Sequence, residues 1–203
     1  IGKSANSTGT GGVAIGSSSA VGQDSVAIGN ASAGSGYQAI GIGKAMIASG
    51  SNAIAIGSDN TVDKDNAVVI GKSATATGTG GTAVGTSTTS AQDAVAIGNA
   101  AGGTGTEAVG IGKDTVASGN YTIAIGTSKT TDKNNAVAIG KNSDATGTGG
   151  VALGYSSSTS QDSVGIGNAA DASGTDAVCI GKGSRANDGA VVIGVNTKTK
   201  NPT

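Results

Sequence analysis

The sequence predicts an all-β protein, a parallel β-solenoid of about 14 coils with about 13 to 14 residues each. Three observations predict this fold class. Of the 203 residues, 38 are glycine and only three are aromatic. A short apolar segment that ends in glycine, such as Val26–Gly29, recurs along the chain. Within each segment branched residues alternate with small ones, which is the two-residue period of a strand.

The glycines that end these segments set the period of the repeat. They fall at positions 2, 16, 29, 43, 57, 71, 85, 98, 112, 126, 140, 154, 167, 181 and 194, which keeps the step between them nearly constant. A disordered glycine-rich linker would not keep a fixed step. The chain is therefore a repeat protein.

A second, longer period lies on the first and spans about 69 residues. Five coils form a block, and the sequence KSANSTGTGGVAIG that starts at Lys3 returns as KSATATGTGGTAVG at Lys72 and KNSDATGTGGVALG at Lys141. We predict one domain of repeats over residues 1–194, divided into blocks at 3–71, 72–140 and a partial block at 141–194. Residues 195–203 are polar, contain Pro202 and lose the pattern, so we expect a tail or the start of another segment.

Each coil is predicted to hold two short strands and two tight turns. In Val26-Ala27-Ile28, the two branched residues share one strand face and Ala27 points to the other. Branched residues favour strands, and a glycine every few residues disfavours helix. The second half of a coil, such as Ser73–Gly78, again alternates small and polar residues before a turn. Identical coils stack most simply as a solenoid.

The narrow coil has room inside only for alanine, glycine and serine, so we expect the Ala27 column inside and valine and isoleucine outside. The opposite assignment stays open. An exposed apolar stripe of this length must be covered, and closed cyclic association of identical chains would cover it. The predicted core of that assembly consists of Val13, Ile15, Val26, Ile28, Ile40, Ile42, Ile54, Ile56, Val68, Ile70, Val95, Ile97, Val137 and Ile139.

Composition excludes several functions. Twelve basic and 13 acidic residues leave a net charge of −1, which argues against a nucleic-acid partner. There is no histidine, so histidine-based nucleophile systems and His-ligated zinc are excluded. Cys179 is the one cysteine and is expected to be a small buried residue. We therefore predict no enzyme and no cofactor.

The longest apolar runs are only about four to six residues, far below the roughly 20 that a membrane-spanning helix needs. We expect this segment not to insert into a membrane. The chain opens at Ile1 inside the repeat pattern, without a signal peptide, which indicates a segment of a longer protein.

Two glycine motifs imitate anion sites. Gly71-Lys72-Ser73 resembles the end of a P-loop, but Asn66 stands where the first P-loop glycine belongs and no helix is predicted to follow. The loop Gly9–Gly12 and its copies at 78–81 and 147–150 could hold an anion through backbone amides. We expect both motifs to be turns.

Other surface positions are weaker candidates. Tyr37, Tyr121 and Tyr155 are predicted to be contact residues. A row of lysines follows the recurrent glycines and is interpreted as solubilising, with contact to an acidic partner as the alternative: Lys3, Lys44, Lys72, Lys113, Lys141 and Lys182. The carboxylates at Asp24, Asp93 and Asp162 are one block apart, too far to share a metal within one chain.

The recurring segments are SVAIG at Ser25, AVAIG at Ala94 and NAVAIG at Asn135, each with the alternating half-coil that follows. These segments resemble the heads of trimeric autotransporter adhesins of the YadA type. The resemblance covers about residues 1–194. It implies a left-handed parallel β-roll in which three chains form one head. It also implies export by Gram-negative bacteria, anchoring to the outer membrane through segments absent here, and display at the cell surface to bind host matrix, cells or other bacteria.

Three other functions compete with an adhesin head. The near-identical blocks suit a structural spacer in a surface fibre or a phage tail fibre. An ice-binding array needs regular threonines, and Thr75, Thr77 and Thr79 correspond to Asn6, Thr8 and Thr10 in the first block. A hexapeptide-repeat acyltransferase has longer, three-sided coils and a catalytic histidine, and neither is present here.

Overall fold

Each coil contributes two parallel strands, a longer apolar strand and a two-residue strand, and the two kinds alternate along the chain. The computed structural model describes residues 1–17 and 19–199. Within those residues all regular structure is β-strand, and no helix is long and apolar enough to cross a bilayer. The predicted all-β parallel solenoid is confirmed, with about 13 turns.

The chain divides into two compact units, Ile1–Ala101 and the part from Gly102 onward. The strands of the first unit are β1 (Asn6–Ser7), β2 (Val13–Ser17), β3 (Ala20–Val21), β4 (Val26–Asn30), β5 (Ala33–Gly34), β6 (Ile40–Lys44), β7 (Ile47–Ala48), β8 (Ile54–Ser58), β9 (Thr61–Val62), β10 (Val68–Lys72), β11 (Thr75–Ala76), β12 (Thr82–Val84), β13 (Thr89–Ser90) and β14 (Val95–Ile97). The strands of the second unit are β15 (Gly102–Gly103), β16 (Val109–Ile111), β17 (Val116–Ala117), β18 (Ile123–Ile125), β19 (Thr130–Thr131), β20 (Val137–Ile139), β21 (Asp144–Ala145), β22 (Val151–Leu153), β23 (Ser158–Thr159), β24 (Val164–Ile166), β25 (Asp171–Ala172), β26 (Val178–Ile180), β27 (Arg185–Ala186) and β28 (Val191–Ile193).

The long, even-numbered strands of each unit form one parallel sheet in which every strand pairs with the next long strand. Equivalent residues lie opposite one another, so Val13 faces Val26 and Ala14 faces Ala27 in the first unit. In the second unit Ala124 faces Ala138 in the same way. This register converts the sequence repeat into columns of like residues.

The glycine that follows the three apolar-face residues of each long strand, either inside the strand or directly after it, forms one of these columns. The column glycines have φ between 122° and 154°, a region that other residues rarely adopt. A Cβ atom on Gly29 would overlap the carbonyl oxygen of Gly43, and a Cβ on Gly57 would overlap the carbonyl oxygen of Gly71. Glycine is therefore required at this corner both by backbone conformation and by the close approach of the next coil.

Each coil closes with two tight turns that need a residue in the left-handed region. Ala31 and Gln38 hold these positions in one coil, and each has a φ of 53°. The second turn is closed by the amide of Ala39, which donates to the carbonyl oxygen of Gly36 at 3.3 Å. Asparagine, aspartate, serine and glycine hold most of the equivalent positions, because they tolerate this conformation best.

The interior confirms the predicted facing of the strands. Ala27 and its equivalents are buried, whereas the valine and isoleucine on either side of them are not. The expectation that only alanine, glycine and serine fit inside is wrong, because Met46, Val69 and Lys129 are also buried. Met46 is fully buried, and the long strand before it has Gly41 where most long strands have alanine.

The two-residue strands form interrupted ladders. In the first unit β1-β3-β5-β7-β9 pair in order and β11 pairs with β13, but β9 does not pair with β11. In the second unit β15-β17-β19 and β21-β23-β25-β27 form separate ladders. Each interruption lies where one five-coil block ends and the next begins.

Large polar side chains occupy both interruptions. The Asn60 amide nitrogen donates to the carbonyl oxygen of Gly71 at 2.9 Å, and its oxygen accepts from the amide of Ala74 at 2.8 Å. At the equivalent place in the next block, Lys129 Nζ lies 2.6 Å from Asp144 Oδ1. Side-chain contacts therefore join the coils where backbone pairing between the short strands is absent.

Backbone pairing extends beyond the predicted boundary at residue 194. The amide of Arg185 donates to the carbonyl oxygen of Thr197 at 2.8 Å, and the amide of Thr199 donates to the carbonyl oxygen of Arg185 at 3.1 Å. The rest of the predicted tail, including Pro202, lies outside the described residues.

We predict that Gly57→Ala lowers the free energy of unfolding by about 2–4 kcal/mol, because the new methyl group meets backbone that cannot move and φ is unfavourable. Gly189→Ala is the control: Gly189 has a φ of 63° and open space around the Cβ position, so about 1 kcal/mol is expected. Chemical denaturation of both variants measures the difference. Equal losses would contradict the role assigned to the column.

We also predict faster hydrogen exchange at the ladder interruption. Among the described residues, no backbone hydrogen bond joins the amides of Thr61 and Asp63 to the next coil. In the preceding coil the amide of Ile47 donates to the carbonyl oxygen of Asn60 at 2.9 Å, and the amide of Ser49 donates to the carbonyl oxygen of Val62 at 2.8 Å. Amide-resolved exchange should therefore give lower protection at Thr61 and Asp63. Equal protection at all four amides would show that the ladder is continuous in solution.

Candidate functional site

The surface carries an apolar column, mostly of valine and isoleucine, along the long strands, which we call the Val/Ile stripe. Each long strand alternates an at least partly exposed residue, a buried and usually small residue and a second residue that is at least partly exposed, as in Val137, Ala138 and Ile139. The residues predicted for the core of an assembly all lie on this stripe, and none of them is buried within the chain.

The stripe runs across all seven long strands of each unit. Side chains directly opposite on neighbouring strands are in reach of each other, so the columns form an apolar surface, which Thr82 on β12 interrupts in the first unit. Soluble monomers rarely expose a contiguous apolar patch above a few hundred Å². A surface of this kind is suited to contact with other protein.

The predicted lysine row lies along one end of the long strands, directly after the column glycines. All six lysines are exposed. Among the described residues, only Lys113 of this row forms an ion pair, with Asp114 at 3.8 Å.

The three tyrosines are exposed, with 48%, 56% and 51% of the surface of Tyr37, Tyr121 and Tyr155 accessible. Tyr121 lies in the turn before a long strand of the second unit, and Tyr155 lies in the turn after another. Tyr37 belongs to the first unit.

The glycine loops are turns, as predicted. Gly11 has a φ of 74°, and a Cβ there would overlap the carboxylate of Asp24 on the next coil. Asp93 and Asp162 cover Gly80 and Gly149 in the same way. In the described part of the chain no group of three or more potential metal ligands comes together.

Two further interpretations from the sequence are confirmed. Cys179 is fully buried, and its sulfur lies 3.0 Å from Ser184 Oγ. Gly71-Lys72-Ser73 forms the corner at the end of β10: Lys72 is exposed, and no helix follows it in residues 73–199.

Sequence reasoning missed two features at the block boundaries. Lys129 is buried, with 8% of its surface accessible. A groove of about 380 Å³ lies at the first boundary and is lined by Thr61, Asp63, Lys64, Thr75, Ala76 and Thr77. Asn60 and Lys129 are large polar residues in a column of mostly small ones, and that departure was the available signal.

The fold and the stripe define the class: a parallel β-solenoid repeat protein with an apolar surface stripe. The YadA head domain repeat matches residues 35–60, 48–74, 63–88, 104–128, 132–157 and 158–184. The chain belongs to the family of YadA-like heads of trimeric autotransporter adhesins. This head repeat is a structural adhesin domain, and the family implies a surface-exposed autotransporter passenger. No curated protein sequence matches the chain.

Proposed function

We propose that this chain is the head of a homotrimeric adhesin, displayed at a bacterial cell surface and anchored to the outer membrane by other segments of the protein. The head attaches the cell to host matrix, to host cells or to other bacteria. The observation that carries the proposal is the Val/Ile stripe, which leaves a half-exposed apolar surface on every coil of a chain whose repeats belong to an adhesin family.

Trimerisation would place the three stripes against one another on a common axis. The interior of a single chain contains mostly alanine, serine, threonine and glycine, which bury little apolar area per residue. Most of the branched apolar area is on the stripe. Association of three copies would bury that area, so the stability of the folded chain depends on assembly.

Attachment would use the surfaces that remain outside the trimer. The exposed tyrosines provide amphipathic area for contact, and each site would occur three times in the head. Repeated weak contacts on one rigid body give avidity without a deep pocket. The proposed function requires no catalysis and no cofactor.

The second candidate function is a spacer that sets length within a surface fibre. The repeated five-coil block favours it, because copying a block lengthens the solenoid without disturbing the register of the coils. The two functions differ in one property: an adhesin head binds when it is isolated, and a spacer does not.

We predict that Ile56→Asp abolishes the trimer. A carboxylate on the stripe would be buried against two partner chains without a counter-charge. Ser49→Asp is the matched control. Ser49 is exposed and directly follows the two-residue strand β7, so it does not lie on the stripe. Light scattering after size exclusion should give a reduced mass for the first variant and an unchanged mass for the second. If both variants remain trimeric, the interface lies elsewhere.

Replacing the three tyrosines should reduce attachment by the isolated head. The variant combines Tyr37→Ser, Tyr155→Ser and Tyr121→Asn, since Tyr121 has a φ of 58° that asparagine tolerates. We expect at least about a tenfold loss of binding to immobilised matrix proteins, because aromatic residues dominate contact energies. An unchanged mass and melting temperature are the control for folding.

Unchanged binding by this variant would remove the tyrosines from the contact surface. If the wild-type head binds neither matrix proteins nor cells, the spacer function is favoured.

A further inference from the structure

The two edges of the Val/Ile stripe carry opposite charges. At the end of the long strands, the residue after the column glycine is lysine in six coils, and we call this row the basic edge. The other edge lies at the start of the long strands. There the turn residue two positions before the first stripe residue, such as Asp24 before Val26, is acidic in several coils. We call this row the acidic edge. The acidic edge consists of Asp24, Asp93, Glu107, Asp162 and Asp176.

Two coils of the second unit carry both charges. Glu107 and Lys113 flank the stripe residues of β16, and Asp176 and Lys182 flank those of β26. All four side chains are exposed. The acid lies six positions before the lysine, so an extended segment places them up to roughly 20 Å apart. They are too far apart to pair within one coil.

These charges lack strong partners within the chain. Among the described residues, Glu107, Asp176 and Lys182 form no ion pair, and Lys113 lies 3.8 Å from its neighbour Asp114. Exposed charges of opposite sign on the two sides of an apolar surface are typical of a protein interface, where the rim is polar and the centre is apolar.

We propose that in the assembled head Glu107 and Asp176 of one chain form ion pairs with Lys113 and Lys182 of the neighbouring chain. The proposal rests on the proposed function, because it takes the partner to be a second copy of this chain with its stripe on the same axis. Rotation about an axis parallel to the stack of coils keeps each coil at its own height. The acid of a coil therefore meets the lysine of the same coil in the next chain.

The charge pattern also selects the direction of the chains. A rotation about an axis along the stack brings the acidic edge of one chain to the basic edge of the next. A two-fold axis across the stack would instead reverse one chain and bring like edges together. Like charges across an interface are repulsive, so the edges favour parallel chains and disfavour antiparallel pairs.

The first block provides a neutral version of the same arrangement. Gln38 and Lys44 are the equivalents of Glu107 and Lys113, one block earlier in the sequence. Gln38 has a φ of 53° and Glu107 has a φ of 54°, so the two side chains leave similar backbone turns. Gln38→Glu should therefore create a third pair with Lys44 of the neighbouring chain.

The test uses the whole chain and measures the concentration at which the trimer dissociates, by analytical ultracentrifugation. Glu107→Lys with Asp176→Lys makes both edges basic in these coils, and Lys113→Glu with Lys182→Glu makes both edges acidic. Each double variant should raise the dissociation concentration at least about tenfold, because every pair is repeated at three interfaces. The variant that combines all four substitutions exchanges the two charges, and its dissociation concentration should return toward the wild-type value.

Two further measurements separate pairing from general charge effects. Gln38→Glu should lower the dissociation concentration of the trimer. Adding Lys44→Glu to that variant should raise the dissociation concentration again. The effects should be large at about 0.01 M salt, where the Debye length is about 30 Å, and small at about 1 M, where it is about 3 Å.

The outcomes distinguish this proposal from the proposed function. Suppose that the wild-type chain is a trimer and that the dissociation concentration of the fourfold variant rises by as much as in the two double variants together. The edge pairing is then wrong, and the trimer stands. If the wild-type chain is a monomer at every concentration, the assembly and the pairing are both overturned.

Discussion

The close stacking of backbone at the column glycines is the constraint on which the rest of the structure depends. The carbonyl oxygen of Gly43 lies where a Cβ on Gly29 would be, and the same relation recurs from coil to coil. Because φ at this corner is between 122° and 154°, the chain can leave the long strand sharply and return within one coil. The coil is narrow for that reason, and its interior accepts few large side chains.

A narrow interior forces the branched residues outward. In an ordinary sheet protein, valine and isoleucine would face the core and small residues would face solvent. Here Ala27 faces inward, and Val26 and Ile28 lie on the surface. The chain therefore folds with an apolar surface that is incompletely buried, and the proposed function depends on covering that surface with further copies.

The periodic elements of the fold could be predicted from the sequence because each coil repeats the same local rule. The alternation in Val26-Ala27-Ile28 and the glycine that follows it fix the strand, its register and its corner. Asn60 and Lys129 depart from a column of mostly small residues, but that departure alone does not distinguish a side chain inserted between coils from one in a solvated turn, so the interruptions could not be predicted. Tyr37, Tyr121 and Tyr155 could be predicted as exposed contact candidates, but the turn that each one occupies depends on the path of its own coil.

The central claim is that the Val/Ile stripe is an interface between identical chains. The mass of the wild-type chain in solution, measured by sedimentation equilibrium over a wide range of concentrations, tests this claim most directly. The account predicts three times the chain mass of 18.8 kDa, with unfolding coupled to dissociation. A stable folded monomer of 18.8 kDa, with a melting temperature independent of concentration, would contradict it.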